Sequence, residues 1–204
     1  TFQIGIPTIN RCDLLNPALV TYVERFPNTR IHVWDNGIMQ NIFQHPNVII
    51  HRSEKNIGVA GAWNKLCNLI YREAGYAVIL NDDVVLKSRE EDVVEFMSRG
   101  EFNFVLCCGF SSFAISKNTF SSVGDFDEKF YPAYFEDNDY LRRLFVSTTE
   151  VVHSEVLAFD EIERSGSIKK NPALNVLFEE NRKYYIAKWG GSPNHETYLT
   201  PFDK

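Results

Sequence analysis

The chain has 204 residues, 44% of them hydrophobic and 24% charged, which is enough for one sizeable core and short for two. A net charge of −6 with scattered basic residues excludes a nucleic-acid binder, whose phosphate contacts need a basic face. No apolar run reaches the roughly 18–20 residues of a membrane span and no signal segment opens the chain, so a soluble, cytoplasmic protein without a membrane span is expected.

Phe2 to Pro7 reads as a first strand. Cys12 to Arg25 carries Leu15, Leu19, Tyr22 and Val23 at helical spacing and stops before Pro27. Arg30 to Trp34 and Val48 to Ile50 are the next strands, Val59 to Arg72 is a helix, and Ala77 to Leu80 is apolar enough for a buried central strand. Ser88 with Glu91 forms a capping-box pattern ahead of a short helix whose apolar side is Val93, Val94, Phe96 and Met97. Phe104 to Cys108 and Phe113 to Ile115 look like strands on either side of a Gly-Phe-Ser-Ser turn, after which the alternation breaks down. A helix opens near Glu136. A last one is capped by Asn171, has Pro172 at its first position, and ends at Gly190, with Leu174, Leu177, Phe178 and Tyr185 facing the core. The pattern predicts a single α/β domain over 1–204, with a mostly parallel central sheet flanked by helices and an irregular second half.

The four cysteines, Cys12, Cys67, Cys107 and Cys108, lack C-x-x-C spacing, so reduced thiols in a reducing compartment are expected. Cys107 and Cys108 fall in an apparent strand, which would turn their side chains to opposite faces.

Ligands of open α/β sheets bind beyond the carboxyl ends of the strands, and polar residues recur there. They are Pro7, Thr8, Asn10 and Arg11 after the first strand, and Asp35, Asn36 and Gly37 after the second. Arg52, Asn56, Gly58, Gly61 and Asn64 follow the third, and Asn81, Asp82 and Asp83 the fourth. Each group alone is ordinary turn chemistry; their recurrence on one edge is the signal. Asp82 and Asp83 offer hard oxygen ligands suited to Mg²⁺ or Mn²⁺ with a diphosphate completing the shell, although two acids in a solvated turn is an equal reading of the pair alone. A second acidic group, Glu136, Asp137 and Asp139, stands at a helix start, where the helix dipole favours acids without any function. Helical spacing puts Asp137 with Leu141 and Leu144 on the inward side and lets Asp139 pair with Arg142 or Arg143 at the surface. Asp137, with Glu136 beside it, is therefore the candidate general base.

Taken in order, Ile4-Gly-Ile-Pro-Thr-Ile-Asn10, Trp34-Asp-Asn-Gly37, Asn56-Ile-Gly-Val-Ala-Gly-Ala-Trp-Asn64, Leu80-Asn-Asp-Asp-Val84 and Gly124-Asp-Phe-Asp-Glu-Lys-Phe130 leading into Phe135-Glu-Asp137 resemble a family-2-like GT-A glycosyltransferase over nearly the whole length. The resemblance implies a metal-dependent transfer, with inversion, from a nucleoside diphosphate sugar of UDP or dTDP type to a hydroxyl of a glycan or other acceptor. It implies a nucleotide-binding half over about 1–85 and an acceptor-binding half over about 86–204. Thr8 and Asp35 would hold the base with Arg52 and Asn56 nearby, and Asp137 would be the base of the reaction. The family's D-x-D motif falls on Asn81, Asp82 and Asp83, with Asn in place of the first acid, which leaves Asp83 as direct metal ligand. His153, after the strand-like Val151-Val, would approach the metal or diphosphate, and Ser165, Ser167 and Lys169 would lie in a loop closing over the diphosphate. The tail Tyr184-Tyr-Ile-Ala-Lys-Trp-Gly-Gly191 is similar to the end of bacterial and large-virus members that build surface glycans. With Thr1 rather than Met first, it implies the amino-terminal transferase module of a multidomain large algal virus protein, working in the host cytoplasm.

Two other readings share these features. A sugar nucleotidyltransferase needs a Gly-rich basic loop after its first strand, and Gly5 to Arg11 holds one glycine and one arginine. A non-catalytic sugar-binding module would have no reason to carry both Asp83 and Asp137. An oxidoreductase lacks its G-x-G-x-x-G.

Overall fold

A computed structural model describes residues 1–37, 41–100, 102–162 and 173–203. Seven strands form one sheet in the order β3-β2-β1-β4-β7-β6-β8. Strands β1 (Phe2–Thr8), β2 (Ile31–Asp35), β3 (Val48–Arg52) and β4 (Tyr76–Leu80) run parallel, as the alternating pattern predicts. Beyond β4 the sheet continues with β7 (Ser112–Ser116) and β6 (Phe104–Leu106), each antiparallel to its predecessor, and with β8 (Val151–His153) parallel to β6. The irregular second half is thus partly an extension of the same sheet. A small second sheet pairs β5 (Val84–Leu86) with β9 (Phe159–Glu161).

Strand β4 shows why the first half is legible. Its side chains alternate between two cores: Val78 and Leu80 pack with Ile4, Ile6, Leu15, Leu19 and Tyr22, whereas Ala77 and Ile79 pack with Trp63, Leu66, Ile70, Phe113 and Ile115. A strand buried on both faces reads as a continuous apolar run. The first core is closed by α1 (Cys12–Arg25) and α3 (Glu90–Ser98), the second by α2 (Gly58–Ile70), α4 (Lys117–Val123) and α5 (Glu136–Val146). A third cluster joins Phe130 and Phe135 to Tyr185 and Trp189 of α6 (Ala173–Trp189). No helix among the described residues is long and apolar enough to cross a membrane.

Three local expectations change. At α3 it is Asp92, not Glu91, that accepts from the capping residue's N–H, at 2.8 Å from Arg89 N, because the helix begins one residue later. Glu90 turns inward instead and accepts from Asn28 and from the Thr29 hydroxyl, while Val94 is exposed. Strand β6 ends at Leu106, so Cys107 and Cys108 lie outside it, and their sulfurs come within 3.5 Å rather than facing apart. Asn171 and Pro172 lie outside the described residues, as do Ser165, Ser167, Lys169 and the side chain of Leu174.

Candidate active site

Strands β1 to β4 are parallel, so their carboxyl ends share one edge, and the turns that follow meet there. The Thr8 hydroxyl donates to Asp82 Oδ2 at 2.6 Å, and Asn36 N donates to Thr8 O at 2.9 Å, which ties three of the turns together. Burial pushes the Asp82 carboxyl up to about 6; the Thr8 hydroxyl opposes this and the neighbouring charge of Asp83 adds to it.

Asp83 is buried and held from both sides. Its own carbonyl accepts from Ile162 N at 2.7 Å, and the next residue's carbonyl, that of Val84, accepts from the buried Tyr22 hydroxyl at 2.8 Å. Asn81 is fixed to the turn before β7, its N–H donating to Ser111 O at 2.9 Å. The Asn-Asp-Asp segment therefore sits rigidly between β4 and β5.

Asp35 is fully buried; its Oδ1 accepts from Gly37 N at 2.9 Å, and Arg52, half-exposed above it, holds Nε 3.6 Å from Oδ2. That Oδ2 has no hydrogen-bond partner among the described residues. Asn10 lies against Gly37, where a Cβ would stand 2.3 Å from its Oδ1. Arg11 opens α1 and forks onto Asp13 at 2.8 and 2.9 Å, and Pro7 is half-buried opposite Trp34. Asn56 accepts from Gly58 N, and Asn36 donates to Gly58 O, so these two amides shape the entry to α2. Gly58 has φ +77 and a Cβ there would meet Pro132 O at 3.0 Å, a site only glycine fits easily. Gly61 is buried against Ile57 in the first turn of α2.

Two predicted residues do not join this group. Asn64 spends its side chain on Phe126 N, Phe126 O and Glu128 Oε1, so it pins the 126–128 segment to α2. His153 is exposed at the end of β8, three strands from β4, a lateral offset of about 14 Å at ~4.8 Å per strand.

Across the edge stands the start of α5. A cavity of about 660 Å³ separates the two sides, lined by Asn36, Asn56 and Asn81 on one and by Glu136 and Asp137 on the other, with Trp63, Phe110, Tyr131 and Tyr134 as aromatic walls. Glu136 is buried, its Oε2 without a hydrogen-bond partner among the described residues. Burial, then the adjacent Asp137 charge, push its carboxyl up to about 8. Asp137 accepts from Asn138 N at 2.8 Å, and burial raises its pKa as well.

The face expected for α5 is corrected. Its inward side is Glu136, Asp139, Tyr140 and Leu144, while Asp137 and Leu141 are only half-buried. Asp139 is not at the surface but fully buried, held by Arg143 Nε at 3.0 Å, Trp189 Nε1 at 2.8 Å and Lys188 Nζ at 2.7 Å. Arg142 donates instead to Tyr198 O at 2.6 Å. Lys188 also reaches Asp127 at 2.7 Å, so one buried ammonium bridges two carboxylates.

Sequence reasoning missed Asn181. Its Nδ2 lies 2.8, 3.2 and 3.4 Å from the carbonyls of Ala133, Tyr134 and Tyr131, in the segment that delivers Glu136 and Asp137 to the cavity. Tyr134 and Phe135 both have left-handed backbones there. Its chain neighbours Glu179, Glu180, Arg182 and Lys183 are charged and exposed, so the sequence offered no local signal of its burial.

No known family model matches the chain. A galactofuranosyl glycosyltransferase of Leishmania donovani is 33% identical over 76 residues, which is 37% of this chain and 18% of that protein. Among solved structures, GalNAc-T7 with UDP, GalNAc and Mn²⁺ superposes with a TM-score of 0.68 at 11% identity, over 92% of this chain and 50% of that one. A Drosophila β-1,4-galactosyltransferase 7 variant in complex with manganese, UDP-Gal and xylobiose gives 0.54 at 12% identity, covering 97% and 82%. An active-site variant of LgtC gives 0.52 at 14%, covering 74% and 72%. The chain thus spans half of the GalNAc-T7 chain and matches under a fifth of the Leishmania protein. The shared fold is the GT-A glycosyltransferase fold.

Proposed function

We propose that the chain is a metal-dependent glycosyltransferase that moves a sugar from a uridine or thymidine diphosphate to a hydroxyl of a glycan acceptor, with inversion. The observation that carries this reading is the cavity that sets Asn36, Asn56 and Asn81, at the strand ends, opposite the Glu136–Asp137 pair. A nucleoside diphosphate sugar on one side and an acceptor on the other would meet in it, oriented for attack.

The residues present fit a divalent cation. Asp83 offers a hard carboxylate on the turn between β4 and β5. That suits Mg²⁺ or Mn²⁺, which are held by one or two carboxylates while substrate phosphates and water complete the shell. When bound, such an ion neutralises charge growing on the departing diphosphate, worth several kcal/mol.

The chain's own groups divide the remaining work. Thr8 and Asp35 flank the base, with Arg52, close to Asp35 and half-exposed, beside it. Asp137 takes the proton of the acceptor hydroxyl as its oxygen attacks the anomeric carbon from the face opposite the diphosphate. Its raised pKa makes it a stronger base than an exposed aspartate. Glu136, held near 8, keeps its proton at neutral pH, so the two adjacent carboxyls are not both charged and Asp137 remains the ionised one. A cytoplasmic location, and a place in a longer chain, belong to the same proposal.

A thermal-shift panel of nucleoside diphosphates and their sugars, including UDP-galactofuranose because of the Leishmania relative, tests it. One UDP- or dTDP-sugar should stabilise the fold selectively with Mn²⁺, by about 2.7 kcal/mol at a hundredfold excess over Kd. Equal shifts across the panel, or none, would overturn the reading.

A further inference from the structure

Two thiols stand where the sheet gives way to the cleft wall. Cys107 and Cys108 follow the last residue of β6 and are released from strand alternation, and their sulfurs lie 3.5 Å apart. Cys108 is exposed, Cys107 half-buried, and neither is in a disulfide. Gly109 follows with φ +78, and a Cβ built on it would touch nothing within 4 Å, so the backbone has room to turn directly after the pair. Phe110 and Ser111 come next and line the cavity, Ser111 O holding Asn81 N at 2.9 Å.

We propose that Cys107 and Cys108 are a redox modification site, a dithiol that a hydroperoxide converts to a disulfide between adjacent residues beside the cleft. This inference rests on the geometry of 106–111 and is independent of the transferase reading. Burial, then the Cys108 sulfur, push the Cys107 thiol up to about 11. Cys107 therefore keeps its proton, and Cys108 is the exposed nucleophile. The Cys108 thiolate attacks a peroxide oxygen, the O–O bond breaks, and the departing oxygen leaves as water or an alcohol after protonation. Cys107 then attacks the resulting sulfenic sulfur; the S–S bond forms, the S–O bond breaks, and the hydroxide leaves with the Cys107 proton as water. Two thiols lose two electrons and two protons, and the hydroperoxide gains them. Closure brings the sulfurs to ~2.05 Å, while neighbouring Cα atoms stay about 3.8 Å apart, closer than an ordinary disulfide prefers. The ring is consequently strained, and a mild thiol reopens it.

The test treats the full chain with hydrogen peroxide, blocks remaining thiols with N-ethylmaleimide, and reads the 107–108 peptide by mass spectrometry. The expected product is unalkylated, lighter than the dithiol by two hydrogen atoms, and alkylated twice after mild dithiothreitol. In Cys107→Ser the same treatment should instead drive Cys108 to sulfenic and sulfinic acids. Oxyacids on Cys108 of the unsubstituted chain, a disulfide to Cys12 or Cys67, or equal protection of Cys108 in Cys107→Ser would each overturn the proposal.

Discussion

Glu136 and Asp137 show how burial assigns roles to chemically similar neighbours. The Glu136 carboxyl, raised to about 8, binds a proton in the folded chain that the unfolded chain has released above its ordinary value of 4.5. Stability should therefore fall as pH rises between 4.5 and about 8, at up to about 1.4 kcal/mol per pH unit, and level off above. Glu136→Gln, neutral at every pH, should flatten this slope; urea midpoints across the window check it, and an unchanged slope would assign the proton elsewhere. Asp137→Asn should leave donor affinity nearly intact and lower single-turnover transfer about 10²- to 10⁴-fold. Asp139→Asn disturbs a buried network rather than a surface pair. Leaving Lys188 and Arg143 around a neutral amide should cost about 3–5 kcal/mol, the scale for breaking a buried ion pair, where surface pairing would have cost at most about 1. Chemical denaturation of this variant separates the two. The sequence misled here for a physical reason. Leu141 and Leu144 suggested one inward face, but the phase of α5 is set by Tyr140 and Leu144, and two of the three partners that make Asp139 tolerable inside, Lys188 and Trp189, lie about 50 residues later.

At the scale of elements, α6 acts as a brace for the acidic pair. The Asn181 amide gathers the carbonyls of the 131–134 segment, whose left-handed end at Tyr134 and Phe135 costs on the order of 1–3 kcal/mol per residue unless neighbours hold it. Asn181→Leu should lower kcat by about 10²-fold through misplacement of Asp137, with donor KM little changed. If kcat and donor KM move together, or neither moves in a folded variant, the brace has no part in positioning. Elements held by local pattern were legible: α1 has the bounds its spacing predicts, and β4 emerged from four apolar residues. Features made by partners distant in the chain were not, among them the Asn181 brace and the β5–β9 pair, and the meeting of Cys107 with Cys108 follows from a strand two residues shorter than its apolar run.

For the whole molecule, the two cores explain why the candidate site is on this edge. Burial of β4 on both faces fixes its register, since a one-residue slip would exchange every side chain between the two cores. Asn81, Asp82 and Asp83 are consequently delivered to the rim at a set height, where Thr8 and Ser111 secure them. Collecting polar residues after each strand recovered most of this edge, because a parallel sheet brings its carboxyl ends together whatever the side chains are. It erred for Asn64, which is six residues into α2 and faces Phe126, while His153, expected from the family resemblance, stands at the end of β8, three strands from β4. On the proposed mechanism Asp83 holds a divalent cation needed for donor binding. Isothermal titration of the selected UDP- or dTDP-sugar into the unsubstituted chain and Asp83→Ala, each with Mn²⁺ and with chelator, tests it directly. The unsubstituted chain should bind at least about tenfold tighter with Mn²⁺, a difference of about 1.4 kcal/mol, and Asp83→Ala should bind weakly and equally in both. Equal donor affinity of the unsubstituted chain in Mn²⁺ and in chelator would contradict it.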